Sequence, residues 1–320
     1  MKEDKKLLFG TPRKDEGIYT FIGFLANCDE TILKLSPGPG FRFALMEKDE
    51  VLSHTGDEGY GDFLISLLER DPFEGQDEYF VLTKELKFKQ PDKTVDLLEA
   101  IGIDVSTDEG SDSWWRISPE PRAHSIIHLL RVFKEGGIEM GAWVDYQNGV
   151  PFTVQGEYCH KLHQIPYHIE DGEIDEIDKF IQSTELPFKD EVLELSRLSF
   201  DQALFIPNRA LRLISNLIAL EALLNPGKAE VRYRVSRNLA VLLGSGQEDS
   251  IEIFEKMKKL YDTRSKIVHG NKIFNIKEDE VKLSERFARE AIKKFYSSGL
   301  NKVDLLKRIN SMGFNSNRNW

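Results

Sequence analysis

Cysteine is almost missing from these 320 residues: there are two, Cys28 and Cys159. Two thiols cannot supply the disulfide framework of a small secreted domain, so a reducing cytoplasm is the expected home. Long apolar runs are missing as well. No stretch approaches 18 uninterrupted apolar residues, which argues against a membrane span, and Met1-Lys-Glu-Asp-Lys-Lys-Leu-Leu8 lacks a signal-peptide core. There is no P-loop and no dinucleotide glycine fingerprint. The turn Ser36-Pro-Gly-Pro-Gly40 is too rigid to cradle a phosphate and carries no lysine. No internal repeat or low-complexity tract is present. These absences leave a cytoplasmic globular protein with no expected cofactor and no membrane partner.

What is present is ample for packing. Hydrophobic residues make up 40% and charged residues 30%, and the length suits about two domains, each able to bury a core. The net charge of −11 hides a division. From residue 200 onward there are 22 Lys+Arg against 14 Asp+Glu, a balance of +8. The remainder has 21 against 40, a balance of −19. A basic C-terminal part attracts phosphates and an acidic N-terminal part repels them. Two solvated surfaces of different composition would give the same numbers.

Residues 1–186 read as an α+β domain. Ile18–Leu25, Phe41–Leu45 and Glu78–Thr83 are aromatic and branched, with the Pro-Gly turn between the first two. Helical runs are expected at Asp62–Glu69, Val95–Ala100 and Ala123–Arg131. Strand character returns from Gly137 to Ile169, clearest at Gly141–Tyr146, and a short acidic helix follows from Glu173 to Ile181. A boundary is expected near Ser183-Thr-Glu-Leu-Pro187. Residues 187–320 read as an all-α bundle, with helices over 190–204, 208–224, 230–243, 249–269, 282–297 and 302–309. The second of these is apolar nearly all round, with leucines at 213, 217, 220 and 224, and is expected at the bundle centre.

One stretch carries chemistry. Ile253, Met257, Leu260, position 264 and Ile267 recur at steps of four and three, a seam that packs against other helices. Position 264 is Arg264, whose guanidinium cannot shed its charge, so it must meet a carboxylate or an anionic ligand. Five residues on, His269 precedes Gly270, a helix-stop residue. On an unbroken helix the two would diverge by about 140°. A helix ending near Gly270 frees His269 to turn back, at the negative end of the dipole that favours its protonated form. A phosphate-binding cation beside a titratable imidazole is minimal equipment for cleaving RNA without a metal, the 2′-hydroxyl serving as nucleophile.

In chain order, Leu220-Glu-Ala-Leu-Leu224, Glu230-Val-Arg-Tyr-Arg-Val-Ser-Arg237 and Tyr261-Asp-Thr-Arg-Ser-Lys-Ile-Val-His-Gly270 resemble the HEPN superfamily, most closely its Apea-like branch. The resemblance covers roughly residues 187–300. It implies a four-helix bundle that dimerises so that two Arg-x4-His motifs share a cleft, and a metal-independent endoribonuclease used in toxin–antitoxin or antiphage systems. Arg264 and His269 become the catalytic pair, with Ser265, Lys266, Asp262, Tyr261 and Glu221 in support. Many active members carry Asn, Asp or His where this chain has Ser265. Other members are inactive and serve as modules that bind RNA or protein.

Further residues admit two readings. Glu221 is the one acid within the apolar run from Leu213 to Leu224. It either fixes the bundle through Arg234 or Arg237, or orients Arg264 or His269. Arg232, Tyr233, Arg234 and Arg237 either track and stack RNA or form an ordinary basic helix face. Cys159, His160, His163 and His168 crowd ten residues, yet no second ligand cluster completes a zinc pattern, and no metal is expected. His124 and His128 share a helix face without the glutamate of a protease motif, and packing is the expected role. The partners expected are RNA, a second copy of the chain through the bundle, and a protein or small ligand for the acidic N-terminal domain.

Overall fold

Five strands form one antiparallel sheet in the order β2-β3-β1-β4-β5: β1 Glu16–Ala26, β2 Phe41–Glu47, β3 Glu78–Lys89, β4 Glu139–Gln147 and β5 Val150–Gly156. The computed structural model describes residues 16–53, 60–70, 72–89, 119–147, 150–156, 165–186, 191–227, 229–270 and 276–314. The expected helix Val95–Ala100 lies outside them, as do Cys159, His160 and His163. Among the described residues, helices α1 Lys48–Ser53, α2 Tyr60–Leu68, α3 Pro119–Phe133 and α4 Ile174–Ser183 complete this part of the chain.

Alternation along the strands makes two faces. Ile22, Phe24, Met46, Val81 and Val144 point to one of them and pack with Val51, Leu64 and Leu68 from α1 and α2. Phe24, Phe73 and Tyr79 meet there edge to face, with centroids 5.7–6.5 Å apart. The other face carries Tyr19, Phe21, Trp143 and Asp145, with Phe21 opposite both Lys84 and Asp145 in the register. His124 of α3 meets Trp143 at 5.0 Å, edge to face. The loop from α3 into β4 turns at Gly136, whose φ of +151° is open to glycine and strained for other residues.

Contacts divide the chain into residues 1–130 with 135–182, and residues 131–134 with 183–320. The second unit holds α5 Glu191–Phe205, α6 Arg209–Leu224, α7 Val231–Leu243, α8 Gln247–Val268, α9 Glu278–Ser298 and α10 Lys302–Asn310. Helix α6 packs against α5, α7, α8, α9 and α10, and so occupies the centre its leucines require. Asn208 caps it, its side chain accepting from the Ala210 and Leu211 amides at 3.0 and 3.2 Å. Asn238 donates to the Leu224 carbonyl at 2.9 Å and closes its other end. A polar ladder runs between α6 and α9, where Arg212 donates to Glu285 at 3.1 Å and Asn216 to Ser284 at 3.1 Å. No described helix is long and apolar enough to cross a membrane.

Candidate active site

The site is built on α8. Ile253, Met257, Leu260 and Ile267 are buried along the seam, and Arg264 takes its place among them with its side chain 34% exposed. The seam faces α6, which presents its single acid there. Arg264 Nη2 lies 3.4 Å from Glu221 Oε1, so the carboxylate meets Arg264 rather than Arg234 or Arg237. The contact is an ion pair without the close geometry of a charge-assisted hydrogen bond.

Tyr261, one turn earlier, is buried beside the same pair. Burial first, and the Glu221 carboxylate second, push its phenol above the usual tyrosine range, with Arg264 pulling the other way. The hydroxyl lies in the field of Glu221 without closing a hydrogen bond of good geometry. Among the described residues, Tyr261 Oη, Glu221 Oε1 and Arg264 Nε are all buried atoms with no hydrogen-bond partner. Glu221 Oε1 nonetheless has the Arg264 guanidinium 3.4 Å away, so its charge is met although no close hydrogen bond forms.

Helix α8 ends at Val268. His269 is its cap, with its amide donating to the Ser265 carbonyl at 3.1 Å, and Gly270 follows at a φ of +76°. The stop leaves the imidazole exposed. Among the described residues no hydrogen bond or ion pair joins His269 to Arg264. Ser265 and Lys266 are exposed on the same final turn.

Asp262 does not face Arg264. It accepts from Arg232 Nη2 at 2.8 Å and ties α8 to α7, both side chains being half exposed. Arg234 lies 3.9 Å from Glu230, the residue at the N-cap of its helix. Arg237 is turned to the chain end, donating to the Met312 carbonyl at 2.8 Å and to Asn238 at 3.2 Å. Tyr233 is 55% exposed and meets Phe254 edge to face at 5.8 Å. The structure thus gathers Tyr261, Arg264 and Glu221, joins Arg232 to Asp262, and sets Arg237 apart.

Sequence reasoning missed three contributors. Thr263 donates to Glu280 at 2.7 Å and braces the motif turn against α9. Phe254 and Lys258, with the Lys258 ammonium 5.0 Å from the ring centroid, share a face of α8 with Asp262. Their spacing of four was legible, but the partner across the helix was not. Elsewhere, His168 pairs with Asp29 at 2.7 Å, and no group of three or more His, Cys, Asp or Glu among the described residues is placed to hold a metal.

The first unit holds a separate buried pair. Tyr19 donates its hydroxyl to Asp145 beneath α3. Burial raises the Asp145 carboxyl to about 7, with Glu120 adding to the rise and the Tyr19 hydrogen bond opposing it. The Tyr19 phenol is raised too, by burial first and then by Asp145.

No family model, no curated protein and no solved structure matches the chain.

Proposed function

We propose that this chain is a metal-independent endoribonuclease of the HEPN type, acting in the cytoplasm in a toxin–antitoxin or antiphage setting. The observation that carries the reading is Arg264 on the α8 seam with an exposed His269 at the end of the same helix. The guanidinium holds the scissile phosphate and stabilises its developing charge. An imidazole accepts the 2′-hydroxyl proton as the 2′-oxygen attacks phosphorus. The bond to the 5′-oxygen breaks, that oxygen takes a proton from a second imidazole, and the products carry 2′,3′-cyclic phosphate and 5′-hydroxyl ends. One chain brings one His269, so a two-fold dimer supplies both acid and base. The acidic first unit selects substrate or restrains activity through a protein or small-ligand partner.

The test is incubation of the full chain with mixed RNA in EDTA. The native protein should cut, while Arg264→Ala and His269→Ala should each abolish cleavage and leave the fold intact. If both variants cut at the native rate, the site is misassigned. A specific observation favours a second reading, that of an inactive HEPN module binding RNA or protein. Arg264 already has Glu221 as its anion, which is what a structural pair requires. Folded native protein that binds RNA and never cuts it selects this reading.

A further inference from the structure

Resting on the RNA reading above, we infer that Tyr233 and Phe254 form a stacking platform for an unpaired base, so that the substrate class is single-stranded RNA. The platform sits where α7 and α8 meet. Tyr233 is on the first turn of α7 with more than half of its surface exposed, and its ring meets Phe254 edge to face. Phe254 in turn meets Phe314 at 5.8 Å, and Arg237 fastens that part of the chain by donating to the Met312 carbonyl. Tyr233 is therefore the exposed ring, and the half-buried Phe254 and Phe314 rings support it from behind.

Cations rim it. Lys258 lies over the Phe254 ring, and Arg232 and Arg234 flank Tyr233 in the sequence. Each has a carboxylate partner: Glu255 at 3.1 Å, Asp262 at 2.7 Å and Glu230 at 3.9 Å. Pairs this exposed contribute little to stability, so exchanging a carboxylate for a phosphate is cheap. The unit they belong to carries the positive balance of the chain. An exposed aromatic ring with a lysine over its neighbouring ring and arginines on the same helix turn can take a base together with its phosphate, and the base must be unstacked to reach it.

Direction follows from the helix. Phe254, Lys258 and Asp262 step by four along one face of α8, and His269 continues that face two turns later. Phe254 and His269 are about 22 Å apart along the axis. A strand anchored at the rings and laid down this face reaches the imidazole about 140° around α8 from Arg264, so the anchor by itself does not fix where the scissile phosphate sits.

The experiment measures fluorescence anisotropy of a labelled unpaired oligoribonucleotide and of the same sequence as a duplex. The full chain carries His269→Ala so that the RNA survives. Added Tyr233→Ala should weaken binding of the unpaired strand by about 5- to 150-fold, with far less effect on the duplex. Tyr233→Phe should bind as its parent, because stacking needs the ring and not the hydroxyl. Phe254→Leu, which keeps apolar volume against α7, should weaken unpaired-strand binding as well. Equal binding by Tyr233→Ala overturns the platform, and so does a loss in Tyr233→Phe as large as in Tyr233→Ala. The nuclease reading is judged separately, by cleavage with the native histidine. Stacking loss with RNA never cut keeps the platform and removes the nuclease; cleavage that is indifferent to Tyr233→Ala does the reverse.

Discussion

Replacing Asp145 by asparagine should flatten the pH dependence of stability in the first unit. In the unfolded chain this carboxyl releases its proton near 3.8; in the folded sheet it keeps the proton to about 7, because burial disfavours the charge. Between those values the folded state holds a proton that the unfolded state has lost. Stability contributed by the group is therefore complete below about pH 4 and drains away as pH rises to about 7. The full difference corresponds to roughly 4 kcal/mol, of which about 2–3 kcal/mol falls between pH 5 and pH 8. The amide introduced by Asp145→Asn would keep an acceptor for the Tyr19 hydroxyl and could not ionise. Urea unfolding followed by tryptophan fluorescence reads mainly this unit, because Trp114, Trp115 and Trp143 of the chain's four tryptophans fall in it and Trp143 is 4% exposed on the same sheet face. Native protein should lose stability from pH 5 to pH 8 and Asp145→Asn should lose markedly less. Identical slopes in the two proteins would refute a buried, protonated Asp145.

Gly136→Ala should destabilise the first unit by about 1–3 kcal/mol. The added methyl meets the Tyr167 ring at 2.7 Å and its Cα at 3.1 Å at a backbone angle L-residues avoid, and a lowered Tm in a thermal melt checks it. In the bundle, Glu221→Ala and Arg264→Ala should be non-additive, with a coupling of about 0.5–1 kcal/mol in a double-mutant cycle, because the pair is partly exposed and long. Additive losses would show that the pair is inert.

The helices of the second unit were legible because each carries a local period. The steps from Ile253 to Ile267 gave the buried face of α8, and Gly270 gave its end. Helix α9 begins at Glu278, four residues ahead of the expected start. Glu278, Asp279 and Glu280 make an acidic first turn there, and Glu280 closes a capping box on Lys277, a signal that apolar periodicity does not register. The sheet order was not legible, since strand pairing joins segments far apart and aromatic runs do not name their neighbours. Helix α1 escaped notice because six residues offer too little period. At the site, the seam steps marked position 264 and Gly270 marked the helix end beside His269. That Glu221 would reach Arg264, that Arg232 would take Asp262, and that Arg237 would turn to Met312 depend on which helices adjoin.

Strand β1 lies between β3 and β4, and its register joins Tyr19 to Gln147. On a ribosome that order imposes a wait. The apolar stretch from Ile18 to Leu25 emerges early, yet one of its edges stays open until β4 has been made, over a hundred residues later. Closing so long a loop is slow, and an unpaired apolar strand is a hazard meanwhile. The helical unit follows with mostly local contacts and needs no such delay. The part of the chain with Arg264 and His269 therefore emerges after the last strand of the sheet, when that sheet can already close.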